Sequence, residues 1–202
     1  MKTLLITGGG GDLAVAIKDF FKDNYKVLTP SSKELDVTNR QSVKDYLEDK
    51  AVDILINNAG TIHSATILES DMELWERDIQ VNLIGAYYVT KTVLHKNNSA
   101  VIINIASTAA FNAYPNWSSY CSSKAAMVTF SKSIANDGFN VFVLCPGAVR
   151  TKFRDGLGLD NSNEMPPSTV VTQVKKIVDN EYNSGDVIFF RKDEIRINPT
   201  SD

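Results

Sequence analysis

Thr7-Gly8-Gly9-Gly10-Gly11-Asp12-Leu13-Ala14 stands almost at the start of the chain. Before it, Thr3-Leu4-Leu5-Ile6 is a short apolar run. After it, Leu13, Ala16, Ile17, Phe20 and Phe21 fall at i, i+3, i+4, i+7 and i+8, one apolar face of a helix. A glycine run between a buried strand and an amphipathic helix is a shaped turn, not a linker. Without Cβ atoms its backbone can bend sharply and bring N–H groups close to another surface.

Outward from this turn, strand and helix signals alternate. Strands are predicted at Thr3–Thr7, Lys26–Thr29, Asp53–Asn57, Ala100–Ala106, Asn140–Cys145 and Asp186–Phe190. Helices are predicted at Leu13–Lys22 and from Thr38, where Thr38-Asn39-Arg40-Gln41 reads as a capping box. A third starts at the capping box Ser70-Asp71-Met72-Glu73 and carries Trp75, Ile79, Leu83 and Ala86 on one stripe. A fourth spans about Ser118–Asn136, and a fifth follows Pro166-Pro167-Ser168 with Val170, Val174 and Ile177 in phase. Such alternation predicts an α/β fold, a single-domain (residues 1–202), Rossmann-type doubly wound parallel sheet with helices on both faces. The segment Val27–Asp36 leaves no room for a helix, and Leu35-Asp36-Val37 is either a very short strand or merely extended. The stretch of about Lys152–Pro167, with Gly156 and Gly158, reads as a loop able to cover a site.

Composition narrows the function classes. With 202 residues and a net charge of −3, and with no Lys/Arg run, the chain is not expected to bind nucleic acid or a membrane surface. Cys121 and Cys145 have no metal-ligand spacing, and His63 and His95 are too scattered to form a metal site. Reduced thiols and a cytoplasmic location are expected.

In a doubly wound sheet the first strand–helix turn faces the switch point where nucleotides bind. Gly9-x-Gly11-x-x-Ala14 and Gly8-x-x-Gly11-x-x-Ala14 both fit phosphate-approaching spacings, with the helix N-terminus adding partial positive charge. By itself the turn reads equally well as strand–helix packing. Asp12 either points away from a phosphate or caps the following helix. Further on come Asn57-Asn58-Ala59-Gly60, Asn82, Ser107 at the end of "VIINIAS", and Tyr120-Cys121-Ser122-Ser123-Lys124. Tyr120 and Lys124, at i and i+4, share one helix face. Each feature alone has an ordinary structural reading. Together they fall at, or beside, the carboxyl ends of successive strands, where such a sheet builds its site.

At these residues the chain resembles the short-chain dehydrogenase/reductase family, from "TGGGGDLA" through "NNAG", "NIAS" and "YCSSK" to "CPGAVRT". The resemblance implies hydride transfer between a nicotinamide cofactor and a carbonyl or alcohol, a small-molecule substrate. Tyr120 would be the general acid or base, and Lys124 would lower its pKa and bind the nicotinamide ribose. Ser107 would bond the substrate oxygen, and Asn82 would hold a water linked to the lysine. Gly8, Gly9, Gly11, Asp12 and Leu13 would take the pyrophosphate turn, and Asn58, Ala59 and Gly60 the adenosine side. Asp36 and Val37 would lie beside the adenine, and Pro146, Gly147, Val149 and Thr151 beside the carboxamide. Gly is usual in the family where Asp12 and Ala14 stand, and the Gly8, Gly11, Ala14 spacing is closer to a branch acting on nucleotide sugars.

No carboxylate closes the second strand before Glu34, and Ser31, Ser32 and Lys33 offer groups for a 2′-phosphate, so NADP(H) is expected over NAD(H). Ile62, His63, Ala109, Phe111, Trp117 and Phe153 suggest a mixed apolar and aromatic substrate pocket. Two other readings stay open: a non-catalytic NADP-binding sensor, and an epimerase or dehydratase of nucleotide-sugar type. Trp75, Tyr87, Tyr88 and Val89 exceed one helix stripe, and relatives pair these helices, so a homodimer or homotetramer is expected.

Overall fold

Apolar residues facing both ways along each strand require cover on both sides, and this is what forms. A computed structural model describes residues 1–155, 157 and 162–199. Its strands are β1 (Thr3–Ile6), β2 (Lys26–Leu28), β3 (Ile54–Asn57), β4 (Val101–Ile105), β5 (Val141–Pro146), β6 (Val187–Arg191) and β7 (Glu194–Ile197). They form one sheet in the order β2-β1-β3-β4-β5-β6-β7, parallel except for the β6–β7 pair. Strand order reverses at β1, with β2 on one side and β3 on the other. The carboxyl ends of β1 and β3 therefore form the switch-point crevice.

The helices are α1 (Asp12–Phe21), α2 (Arg40–Leu47), α3 (Met72–Ile79), α4 (Ala86–Lys96), α5 (Ser118–Asn136), α6 (Lys152–Asp155) and α7 (Pro167–Val178). Leu4, Ile6, Ile56, Ile103, Leu144 and Phe190 meet α1 and α7 on one face. The alternate residues Leu5, Leu55 and Ile102 meet α2 and α4 on the other, and Val143, Cys145 and Phe189 meet Met127 and Val128 of α5. Strict alternation fixes the register, since a one-residue slip would exchange the two faces.

Several local expectations are corrected. Asn39, not Thr38, caps α2, accepting from Gln41 N and Ser42 N, while Thr38 bonds back to Asp36. Asp71 caps α3 through Leu74 N, and Ser70 bonds Ile67 O instead. In both cases an Asx side chain one residue later is the one that reaches the free N–H groups. Leu35-Asp36-Val37 is not a strand. Phe20 turns outward and lies edge-on to Phe21 at 5.0 Å.

The single long third helix is in fact α3, a π-helical segment Gln80–Gly85, and α4. The extra residue per turn shifts the apolar phase, so Val89 and Val93 point into the core. Val89 and Tyr88 are thus core or core-packed, leaving Tyr87, 40% exposed, as the surplus.

The antiparallel β7 was not foreseen. Its outward Ile195 and Ile197 alternate with charged residues, and it follows β6 through the tight turn at Lys192-Asp193. The expected loop after Thr151 begins with α6, and Val149 bridges Met165. Gly156 and Gly158 lie outside the described residues.

Candidate active site

The glycine turn is set by contacts on both flanks. Gly8 has φ +68°, and a Cβ there would lie 2.9 Å from Ala59 Cα. Thr7 Oγ1 accepts from both Asn58 N and Ala59 N at 3.0 Å, and Asn58 Nδ2 donates to Thr7 O. The β1 and β3 ends are thereby tied together. Gly9 N donates to Pro30 O at 3.0 Å, and a Cβ at Gly9 would sit 2.2 Å from Thr29 O. Gly11 is the N-cap of α1 and offers no side chain to its free N–H groups.

Asp12 does not cap the following helix. As the first residue of α1 it cannot cap that helix, and its Oδ2 accepts from Lys152 N at 2.6 Å, at the start of α6.

The catalytic candidates converge from three elements. Ser107 lies two residues past β4, where its Oγ accepts from Ala109 N at 3.1 Å and caps the 3-10 turn Thr108–Ala110. Tyr120, in the first turn of α5, shares a cavity wall with Ser107, whose hydroxyl is close enough to pull the phenol pKa down. One turn later Lys124 Nζ donates to Ile105 O at 2.9 Å and lies 5.4 Å from the Tyr120 ring centroid. Asn82, within the π segment, accepts from Thr61 N at 2.8 Å and donates to Thr61 O and Ser123 Oγ, each at 2.9 Å. Its amide braces the loop after β3 against α5. A Cβ at Gly60 would come within 3.4 Å of Asn82 Oδ1 and 3.8 Å of Lys124 Nζ, so glycine keeps the space between them clear.

Burial dominates the electrostatics. It pushes the Tyr120 phenol up to about 12, against a downward pull from the neighbouring Ser107 hydroxyl. It pushes Lys124 down to about 8, with nearby Cys145 and Asp78 opposing. The expected lowering of the phenol by Lys124 is therefore overridden: desolvation of the buried ring outweighs a cation already engaged with Ile105 O. At neutral pH Tyr120 is a phenol, suited to give a proton.

The Lys124 shift carries a stability prediction. Its folded-state pKa lies below the ordinary 10.5 of an unfolded lysine. At neutral pH the fold bears a buried charge, and between about pH 8 and 10.5 the folded chain sheds a proton that the unfolded chain keeps, so stability rises there. Lys124→Met should raise stability at pH 7 by about 1–2 kcal/mol, after roughly 1 kcal/mol is lost at Ile105 O. It should also abolish that alkaline rise. Urea unfolding as a function of pH reads both, and a variant less stable than wild type at pH 7 would reverse the sign of the argument.

These groups share one cavity of about 1160 Å³, whose walls include Gly8, Gly11, Asp12, Leu13, Asn58, Ala59, Gly60, Ser107, Tyr120, Lys124, Pro146, Gly147, Val149 and Thr151. Gly9, Asn82, Ser31, Ser32, Lys33, Asp36 and Val37 do not line it. Gly9 is fixed by close packing on Thr29, and Val37 is a core residue against Gly85. Ser31 is taken up by Glu34, whose Oε2 accepts from Ser31 N and Oγ at 2.8 Å.

On the substrate side Ile62, Trp117 and Phe153 reach the cavity, whereas Ala109 is buried and Phe111 packs on Phe189. His63 is not part of its wall; His63 Nε2 accepts from Asp71 N. Tyr114, Arg154 and Arg191 are lining residues that sequence reading missed. Tyr114 was legible as part of the aromatic cluster before Tyr120, but Arg191 enters only through the unforeseen β6–β7 turn. Among the described residues no cluster of His, Cys, Asp or Glu suits a metal, and no helix is long and apolar enough to cross a membrane.

A family model described as short chain dehydrogenase matches residues 30–162. This chain is a member of the short-chain dehydrogenase family. The matched span holds the Asn58, Ser107, Tyr120 and Lys124 segments and begins after the glycine turn. An uncharacterized oxidoreductase of Thermotoga maritima is 32% identical over 164 residues, covering 66% of this chain and 64% of that protein. The 3-oxoacyl-[acyl-carrier-protein] reductase FabG of Haemophilus influenzae is 33% identical over 156 residues, 71% of this chain and 62% of that protein. The matched region thus spans just under two thirds of these two relatives. The fold is shared with 3-ketoacyl-(acyl-carrier-protein) reductase from Brucella melitensis, solved with NADH. There the TM-score is 0.79 at 23% identity, over 92% of this chain and 94% of that one.

Proposed function

We propose that this short-chain dehydrogenase interconverts a carbonyl and an alcohol with a nicotinamide dinucleotide, Tyr120 handling the hydroxyl proton. The observation that carries this is Ser107, Tyr120 and Lys124 together, with Lys124 Nζ 5.4 Å from the ring, on the wall of a cavity that also meets the glycine turn.

The residues fit a dinucleotide. The glycine turn is a cradle with no side chain over its N–H groups, and the cavity continues from it to Tyr120. When bound, the cofactor supplies or accepts the hydride. Gly8, Gly11 and Leu13 would hold the pyrophosphate, Asn58, Ala59 and Gly60 the adenosine-side ribose, Pro146, Gly147, Val149 and Thr151 the carboxamide, and Lys124 the nicotinamide ribose. Ser107 and Tyr120 aim two hydroxyls at one substrate oxygen. Tyr120, protonated at neutral pH, donates as negative charge develops there, and Ser107 stabilises the same charge. Below about pH 8 Lys124 is an adjacent ammonium able to return a proton to the phenolate, becoming a neutral amine that solvent then reprotonates.

The rings Tyr114, Trp117, Tyr120 and Phe153 form a continuous row, with centroid steps of 5.3, 5.9 and 6.2 Å. Such a wall favours a carbonyl attached to an apolar or aryl group over a polyol. A panel of aryl aldehydes, alkyl ketones and sugars, followed by loss of reduced-cofactor absorbance, tests this. Turnover confined to sugars would overturn the substrate class.

Cofactor choice turns on the 2′ position. NADP(H) was expected from Ser31, Ser32 and Lys33, yet Ser31 is already bonded to the carboxylate of Glu34. Glu34 repels a 2′-phosphate while Lys33 attracts it. We propose that the two nearly offset, leaving NADPH and NADH within about tenfold in kcat/KM. Glu34→Gln should shift the ratio toward NADPH by about three- to tenfold, and Lys33→Ala should shift it the other way by a similar factor. No shift in either variant would place the 2′ position elsewhere.

For assembly we propose a homodimer through α4 and α5. Exposed Tyr87 lies 6.3 Å from Phe130, beside a groove that includes Leu94, Ile134 and Phe139. Light scattering at micromolar concentration giving the 22.3 kDa of one chain would exclude it.

A further inference from the structure

We infer that Asp78 is a positioning residue for Tyr120, a buried carboxylate that pins the first turn of α5 and the loop after β3 to a single point. This rests on the reading of Tyr120 as the proton donor.

Asp78 lies in α3 and is 1% exposed. Its Oδ2 accepts from Ser119 Oγ at 2.6 Å and from His63 N at 2.8 Å. Ser119 directly precedes Tyr120, and His63 lies between the cavity residues Ile62 and Ser64. A carboxylate held away from water is costly unless its partners are well placed, and cation pairing is not what places it here. Its two partners are a hydroxyl and a backbone N–H.

The need arises at the start of α5. Trp117, its N-cap, has φ −117° and ψ 33° and gives no side-chain cap. An uncapped first turn frays readily, because its N–H groups lack partners within the helix. Tyr120 stands in that turn, yet its hydroxyl must stay beside Ser107 on the cavity wall. Two ties from α3 replace the missing cap: Trp75 Nε1 to Ser118 Oγ at 3.0 Å, and Asp78 to Ser119. Asp78 differs from Trp75 in also holding the loop after β3, so that it fixes Tyr120 relative to the cavity wall opposite. Its negative charge near the N-terminus of α5 further suits the helix dipole.

The test compares Asp78→Asn, Ser119→Ala and Trp75→Phe well below their unfolding temperatures. Asp78→Asn and Ser119→Ala should each lower kcat about ten- to thirtyfold while cofactor Kd stays within twofold, and the double variant should fall no further than the worse single one. Trp75→Phe, which removes the neighbouring tie alone, should keep kcat within about threefold. Amide hydrogen exchange at His63 and Cys121, which needs no turnover, should quicken at least tenfold in Asp78→Asn. Faster exchange with unchanged kcat would reject the positioning role and leave a structural brace. Unchanged exchange would reject the brace itself. A wild type that turns over no carbonyl, with the exchange effect intact, would locate the failure in the proposed reaction instead.

Discussion

Tyr120→Phe is expected to lower kcat by about a hundredfold to ten-thousandfold, the range over which positioned acids act. Cofactor affinity should hardly change, because the ring still fills its place against Trp117 and Phe153. Stability should change by less than about 1 kcal/mol. Ser107 keeps its bond from Ala109 N when the phenol is removed, so no buried group is left wholly without a partner. The proton is the only thing withdrawn. Stopped-flow measurement of the chemical step and titration of the cofactor separate the two quantities. A variant keeping more than about a tenth of wild-type kcat would remove Tyr120 from the acid role.

Gly9→Ala should be the most damaging small substitution to the fold. The added methyl would lie 2.2 Å from Thr29 O, 2.3 Å from Thr29 C and 2.8 Å from Pro30 O, all backbone atoms. Nothing there can rotate aside. Relief requires β2's exit to lift off the glycine turn, with loss of the Gly9 N to Pro30 O bond. About 2–4 kcal/mol is expected, or roughly 4–16 °C in Tm for a chain of this size. Gly10→Ala one residue later meets nothing within 4 Å and should be within about 0.5 kcal/mol of wild type. Equal losses at the two positions would mean that the turn is not held against Thr29 as described.

The contrast between Gly9 and Gly10 shows what the sequence leaves open. Four glycines in a row announce a turn against a surface, but not which glycine meets it. That depends on Thr29 and Pro30, some twenty residues away. The doubly wound sheet was legible because each strand is short, apolar and separated by a phased helix. The β7 hairpin was not, since outward Ile195 and Ile197 give only a weak two-residue rhythm. Spacing placed Tyr120 and Lys124 on one helix face and Ser107 by a strand end, while the roles expected of them came from the family resemblance. Asn82 was legible as a position, but its amide is used to brace Thr61 and Ser123, which only tertiary contacts disclose. Ser31 was read as free for a phosphate because one-dimensional order does not show Glu34 folding back onto it. Asp78 carried no signal at all, as a single acidic residue in a helix ordinarily faces solvent.

Deuteride transfer tests the central claim most directly. The chain would be given reduced nicotinamide dinucleotide labelled at the transferring carbon, together with a panel of aryl aldehydes and ketones. The label in each alcohol would be read by mass spectrometry, for wild type and Tyr120→Phe. Deuterium on the carbinol carbon with the wild type, and its near absence with Tyr120→Phe at saturating cofactor, is the predicted result. Label that stays on the bound cofactor across the panel, or reaches the alcohol equally well without the Tyr120 hydroxyl, would contradict it.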